Sequence, residues 1–162
     1  MKRIVTLGVA AVSILTTMAT ALWLAVPAGA TAASNNENIQ IISTSATSTT
    51  ASVIASGVVT AGGVDHLGNK TDTLVFPKGS FKVAHVGKDK QGVNPKTCLF
   101  TAIGKGTFKI SGGTGAYKGI TGSGTYKLNI LAILAGSSGK CSQTKPPVSF
   151  QEIVNATGQV SP

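Results

Sequence analysis

The chain has 162 residues, 12% of them charged, and a formal net charge of +9 at pH 7. Arg3 is its one arginine, so beyond residue 30 all the positive charge is carried by lysine. Sequence-specific nucleic-acid readers use arginine for bidentate base contacts and RNA binders add stacking aromatic residues, so this composition argues against nucleic acid as a partner. We interpret the lysines as a solvated face, and the alternative is attraction to an anionic cell-surface polymer or lipid.

The first thirty residues have the pattern of a secretory signal peptide. Two basic residues precede an apolar run from Ile4 to Val26, Pro27 interrupts it, and Ala28-Gly29-Ala30 is a small-x-small sequence of the kind that signal peptidase cleaves. An uncleaved anchor is the alternative, because the run is long enough to span a bilayer. We expect residues 1–30 to be a signal peptide, the mature protein to be secreted into an extracellular or periplasmic space, and its membrane contact to be limited to this segment.

A polar leader and a strand-rich domain follow. Residues 31–51 consist mainly of Ser, Thr, Asn and Ala, which predicts a flexible leader containing at most a short strand at Ile39 to Ser43. Residues 52–162 are expected to form one domain. Its first strand, Val53 to Thr60, is largely apolar on both faces, which suits a strand that is covered on each side.

Asp65, His66 and Asp72 lie close together in the next segment, among glycine-marked turns. Such proximity occurs in metal sites and in acid–base pairs. The spacing matches no ligand pattern, however, and we interpret the three as solvated loop residues. We predict no metal site and no cofactor.

The segment from Thr73 to Val86 predicts a hairpin with a type I turn at Phe76-Pro77-Lys78-Gly79. Its second strand places Phe81, Val83 and His85 on one face. If that face is internal, His85 points into the interior, where it is either a satisfied core residue or an acid–base group. It is the best-placed titratable side chain in the sequence.

The next predicted strand, Thr97 to Ile103, lies between a polar loop at Gly87 to Lys96 and a turn at Gly104-Lys105-Gly106. It carries Cys98, and Cys141 lies in a later loop. Neither cysteine has a neighbouring histidine or CxxC spacing, and the chain is expected to be exported, so we predict one disulfide between them. Closing a loop of this size stabilises a fold by about 4 kcal/mol in the chain-entropy treatment.

A glycine-dense stretch from Gly112 to Tyr126 is predicted to form a shaped corner that fixes how its flanking strands pair. Phe108 and Ile110 share one face of the strand before it, and Tyr126 and Leu128 share one face of the strand after it. A phosphate-binding loop is the alternative, although no helix start and no acidic ribose ligand is near. The predicted corner residues, with the ring of Tyr117 as a plug beneath the turn, are Gly112, Gly113, Gly115, Tyr117, Gly119 and Gly122.

The last predicted strands complete an all-β pattern. Leu131 to Ala135 is apolar on both faces, which indicates a central strand or a partner on its outer side. Val148 to Val160 follows, with Phe150 and Glu152 on one face. Seven or eight strands without a convincing amphipathic helix predict a closed barrel or a sandwich, and the sequential hairpins favour the barrel.

The glycine corner also carries a family resemblance. Residues 112–122 resemble the Gly-Gly-Thr-Gly-x-aromatic-x-x-small-x-Gly stretch of the allene oxide cyclase and dirigent barrels, and they are most similar to secreted bacterial proteins with that barrel. The resemblance implies a closed, antiparallel, eight-stranded, calycin-like barrel with a small central cavity, as expected of eight strands. Plant dirigent proteins use Asp and Arg in their cavity, whereas this chain lacks Arg after residue 30 and has Ile120 where a small residue is usual.

Three functions are compatible with these features. The first is a non-enzymatic barrel that binds a small apolar ligand or a cell-surface partner, because we expect the few ionisable residues to form no nucleophile–base pair, no carboxylate pair and no metal cluster. The second is a cyclase, isomerase or dirigent-type protein that shapes a reactive intermediate, with His85 as acid–base group and Tyr126 or Glu152 as polar orienting group. The third is an oligomeric envelope protein, motivated by the apolar run Leu131 to Ala135.

Overall fold

A computed structural model describes residues 35–137 and 140–162, and these residues form strands connected by turns. The strands are β1 (Asn36–Ser43), β2 (Thr50–Gly57), β3 (Ala61–His66), β4 (Thr71–Phe76), β5 (Gly79–Asn94), β6 (Leu99–Ser111), β7 (Thr121–Ile133), β8 (Gly136–Ser137), β9 (Lys140–Cys141) and β10 (Ser149–Ser161). Eight of them close into an antiparallel barrel in the order β1-β10-β7-β6-β5-β4-β3-β2, and β8 pairs with β9. The predicted eight-stranded antiparallel barrel is therefore confirmed. The predicted signal peptide lies outside the described residues.

The pairing of β1 with β10 closes the barrel. Asn36 lies opposite Gln159 at one end of this pair, and Ser43 lies opposite Glu152 at the other. The barrel thus begins at Asn36, within the segment predicted to be a flexible leader (31–51), and not at residue 52. The strand was hard to recognise because only Ile39 and its two apolar neighbours mark it, while Asn and Gln occupy its solvent-facing positions.

One end of the barrel interior, beneath the β6–β7 connection, is filled by aromatic and aliphatic side chains. Phe76 and Phe81 are buried there with their ring centroids 5.4 Å apart. The ring of Tyr117 meets both rings edge-on, at 5.9 Å and 5.7 Å between centroids. Tyr117 therefore occupies the position predicted for it, as a plug against the closed end of the core.

The β6–β7 connection is a compact turn with 3-10 geometry at Gly115–Tyr117, and it is tied to the β4–β5 turn. The backbone N–H of Ala116 donates to the carbonyl of Lys78 at 2.8 Å, and that of Thr114 donates to the carbonyl of Ser80 at 2.8 Å. Gly115 has a φ of +57°, and a Cβ there would collide with the carbonyl oxygen of Lys78. Glycine is required at this position both by conformation and by the close approach of the two turns.

Four strands are much longer than the others and continue past the closed part of the barrel. β5, β6, β7 and β10 have 13 to 16 residues, whereas β1 to β4 have 6 to 8. The predicted loop at Gly87 to Lys96 is wrong, because β5 continues to Asn94 in unbroken register with β6. The predicted turn at Gly104-Lys105-Gly106 is also wrong, because these residues lie within β6. The first error arose because this part of β5 is polar where it faces solvent. The second arose because Gly104 and Gly106 lie in a strand, where large side chains of the next strand pack against them.

The predicted disulfide is confirmed. Cys98, in the β5–β6 turn, is bonded to Cys141 of β9, with 5.3 Å between their Cα atoms. The bond joins the tip of the long β5–β6 hairpin to the β8–β9 hairpin across 43 residues of chain. No helix in the described part of the chain has the length and apolar character needed to cross a membrane.

Replacing the corner's aromatic plug tests its contribution to stability. We expect Tyr117→Ala to lower the free energy of unfolding by roughly 3 kcal/mol, because it removes an aromatic side chain packed on two buried rings. Tyr117→Phe is the matched control and should change the free energy of unfolding by less than about 1 kcal/mol, since the ring contacts with Phe76 and Phe81 do not need the hydroxyl. Chemical denaturation of the wild type and both variants measures these changes. If Tyr117→Ala were as stable as Tyr117→Phe, the packing role of the Tyr117 ring would be contradicted.

Candidate functional site

A pocket of about 210 Å³ lies inside the barrel toward the end that carries the β3–β4 turn, opposite to the glycine corner. Its walls are mainly apolar and include Ile39, Ile41, Leu74, Val83, Phe108 and Leu128. Its polar lining residues are Asp65, Asp72, His85, Tyr126 and Glu152. These five come from five different strands, and each reaches the interior because alternate residues of a strand face the same side of the sheet.

The three residues predicted as catalytic or orienting, His85, Tyr126 and Glu152, all line this pocket. The imidazole of His85 meets the ring of Tyr126 edge-on, with 6.2 Å between centroids. The polar partner of His85 is Asp72, since its Nε2 lies 3.3 Å from Oδ2 of that carboxylate. The other carboxylate oxygen of Asp72 accepts the backbone N–H of Gly68 at 2.8 Å. An Asp–His pair is therefore present, with a carboxylate that the sequence analysis had assigned to a loop.

Asp65 is the most deeply buried polar group of the pocket. Its side chain is 0% exposed, and neither carboxylate oxygen has a hydrogen-bond partner among the described residues. Removal from water raises the pKa of Asp65 to about 7, and the nearby charges of Asp72 and Glu152 add to the rise. Burial also raises the pKa of Glu152, with a smaller contribution from Asp72. The site is thus an apolar chamber that holds mutually repelling carboxyl groups.

The interpretation of Asp65 and Asp72 as solvated loop residues is wrong. β3 extends to His66, and Asp65 faces inward between Ala51 of β2 and Leu74 of β4. The available signal was the alternation that runs from Phe76 through Leu74 to Asp72, which puts all three on one face. His66, on the opposite face, is exposed as expected.

Glycines within the long strands make room for Tyr126. A Cβ at Gly106 would lie 2.6 Å from Cε1 of the Tyr126 ring, and a Cβ at Gly87 would collide with its hydroxyl. The tyrosine ring therefore lies over two glycines of neighbouring strands, which holds it against the pocket. A second pocket of about 340 Å³ adjoins the first and shares His85, Tyr126 and Leu128 with it.

Among the described residues, no group of three or more His, Cys, Asp or Glu side chains has the geometry to hold a metal ion. The fold and the site together define a closed antiparallel β-barrel with an acidic internal pocket. No family model, no curated protein and no solved structure matches this chain. The resemblance to allene oxide cyclase and dirigent barrels stays a prediction, and functional arguments depend on the pocket itself.

Two glycine-to-alanine variants test whether the Tyr126 ring needs the space that Gly106 leaves. We expect Gly106→Ala to lower the free energy of unfolding by about 2 kcal/mol or more, since its methyl group would overlap the ring and the carbonyl oxygen of Val86. Gly92→Ala is the control, because a Cβ at Gly92 in β5 meets no atom within 4 Å. It should be neutral or slightly stabilising. Thermal denaturation measures both variants, and a similar loss of stability in the two would contradict the close packing of Tyr126 against Gly106.

The raised pKa of Asp65 predicts how stability depends on pH. The unfolded chain releases this proton near its ordinary value of 3.8, and the folded chain near 7. The neutral carboxyl therefore favours the fold in acid, and this contribution, about 4 kcal/mol, is lost as the pH rises from about 4 to above 7. Urea denaturation across that range should show the loss in the wild type and a much flatter profile in Asp65→Asn. Asp89→Asn, outside this pocket, should retain the wild-type slope, and parallel profiles for all three proteins would refute the assignment.

Proposed function

We propose that this protein is a secreted, non-enzymatic β-barrel that binds, in its internal pocket, a small molecule with an apolar body and a basic nitrogen. The observation that carries the proposal is Asp65, a buried carboxyl that has no hydrogen-bond partner among the described residues and lines a largely apolar pocket. Buried polar groups are almost always satisfied in folded proteins, so an exception of this kind is expected where a ligand supplies the partner. The disulfide supports export, because such bonds persist mainly in oxidising compartments.

The size and lining of the pocket favour a small, largely apolar body. Its volume of about 210 Å³ is below the roughly 300 to 1,000 Å³ that is common for sites of drug-sized ligands. Aliphatic and aromatic walls stabilise an apolar ligand by removing its surface from water. A molecule the size of a single ring or a short chain fits this description.

The charges of the pocket favour a basic nitrogen at one end of the ligand. Besides burial, the charge of Asp72 raises the pKa of both Asp65 and Glu152, and the charge of Glu152 also raises that of Asp65, so the pocket with all three ionised is electrostatically strained. An ammonium group would relieve this repulsion and donate hydrogen bonds to the oxygens of Asp65. Because the cation favours the ionised carboxyl, its binding near pH 7 should release part of a proton from Asp65.

Calorimetric titration with two probes of equal length, n-hexylamine and 1-hexanol, tests the nitrogen separately from the apolar body. We expect the amine to bind at least about tenfold more tightly at pH 7, a difference of about 1.4 kcal/mol. Asp65→Asn should remove this preference and leave the alcohol unaffected, while Asp89→Asn should change neither. Repeating the amine titration in buffers of different ionisation enthalpy measures the released proton.

The outcomes separate the parts of the proposal. Equal affinity for amine and alcohol would refute the basic nitrogen and leave a binder of apolar molecules. Native mass spectrometry of the protein from the culture medium of its own host tests binding itself, since a retained small molecule identifies the ligand class. The absence of a retained molecule, together with the failure of both probes to bind, would overturn the pocket as a ligand site. Absence of the processed chain from both the medium and the periplasmic fraction would refute secretion.

A second candidate function, a cyclase or isomerase, is favoured by the pairing of His85 with Asp72 beside Asp65. A histidine oriented by a carboxylate is a suitable general base, and a carboxyl group with a pKa of about 7 can serve as an acid at neutral pH. Such an enzyme would convert its bound molecule to an isomer of unchanged mass. Chromatography of the ligand extracted from the wild type and from His85→Asn measures this conversion. A variant that still binds the ligand but no longer converts it would establish catalysis over binding alone.

A further inference from the structure

The outer face of β5, β6 and β7 carries three lysines in direct cross-strand register. Lys88 of β5 lies opposite Lys105 of β6, and Lys105 lies opposite Lys127 of β7. Directly opposed residues on antiparallel neighbours point to the same face of a sheet, so the three side chains project together. We refer to Lys88, Lys105 and Lys127 as the lysine row.

Three further lysines extend this positive face along the same strands. These exposed lysines are Lys82, Lys90 and Lys109. Each lies an even number of residues from a member of the lysine row on the same strand, so it projects from the same face of the sheet. Strands lie about 4.8 Å apart and rise about 3.4 Å per residue, so the six positive charges cover a patch of roughly 10 by 27 Å.

No carboxylate balances these charges. Four of the five acidic residues face the barrel interior: Glu37, Asp65, Asp72 and Glu152. The fifth, Asp89, is exposed but lies on the opposite face of β5 from Lys88 and Lys90. In the part of the chain that the structure describes, no lysine forms an ion pair. Like charges directly opposite each other destabilise a sheet. Repulsion within the lysine row therefore lowers the stability of the folded protein, and a bound anion would offset this loss.

We propose that this face binds a linear polyanion of the kind found at cell surfaces, lying across the lysine row. Lysine presents a compact point charge on a flexible stem, which suits a charged polymer better than a shape-specific partner. The outward-facing residues of β5, β6 and β7 include no aromatic side chain, so the face lacks the stacking groups of single-stranded nucleic-acid binders and the anchors of membrane-surface proteins. The exposed aliphatic residues of this face, among them Val86 and Ile103, are interspersed with polar residues.

The test measures binding of the full mature protein to end-labelled inorganic polyphosphate by fluorescence anisotropy at several salt concentrations. The row variant is Lys88→Gln, Lys105→Gln and Lys127→Gln together. The matched control, Lys96→Gln, Lys118→Gln and Lys145→Gln, removes the same charge from exposed positions outside this face. We expect the row variant to bind about tenfold or more weakly and to flatten the slope of log K against log salt by roughly two, as expected for three lost contacts.

The control should bind like the wild type, and the row variant should be at least as stable to heat, because it relieves like-charge repulsion. Equal weakening of both triple variants would show that net charge alone is responsible and would overturn the proposal. Tighter binding of phosphatidylglycerol vesicles or duplex DNA than of polyphosphate, at equal charge concentration, would also overturn it and assign the face to a membrane or to nucleic acid.

Discussion

A closed barrel allows each strand residue only two environments, and the structure depends on this constraint. Residues of one parity face a shared interior, and residues of the other face solvent, with no free edge in the closed part to relax the choice. In this chain the division is also a division of charge. Carboxyl groups such as Asp65 are on the inward face, and lysines such as Lys105 are on the outward face. The interior therefore repels negative charge within itself, and the exterior repels positive charge.

Both kinds of repulsion reduce stability, and two other features of the barrel, the aromatic cluster at the end opposite to the pocket and the disulfide, offset them. Phe76, Phe81 and Tyr117 form an aromatic cluster there, and the disulfide restricts the unfolded chain. Groups that are costly to the fold are concentrated in the pocket and on one outer face. Such a distribution is typical of proteins that retain strained groups for binding.

The fold was predictable from alternation and turn chemistry, because these are local properties. The glycine corner and the turn at Pro77 mark where strands end, and Cys98 and Cys141 show no metal-ligand or redox-motif spacing, which left a disulfide as their predicted chemistry. The pocket was only partly predictable. His85 was found because apolar residues share its strand face. Asp72 shares a face with Leu74 and Phe76, but it comes directly after a turn and was assigned to that turn. Asp65 lies just after two glycines, where no apolar pattern placed it. Their burial depends on the pairing of β3 with β2 and β4, which is a long-range property. Gly104 and Gly106 were misread for the same reason, since the side chains that require them belong to β7.

The pairing of β1 with β10 has a consequence for how the protein matures. Asn36 and Gln159, which lie opposite each other, are separated by nearly the whole length of the domain. Contacts of such long sequence separation form late and slowly. On the ribosome, the barrel cannot close until β10 has been synthesised, and until then one edge of β1 and one edge of β7 have no partner strand. The chain therefore remains open, and accessible to whatever transports or protects it, for the whole of its synthesis.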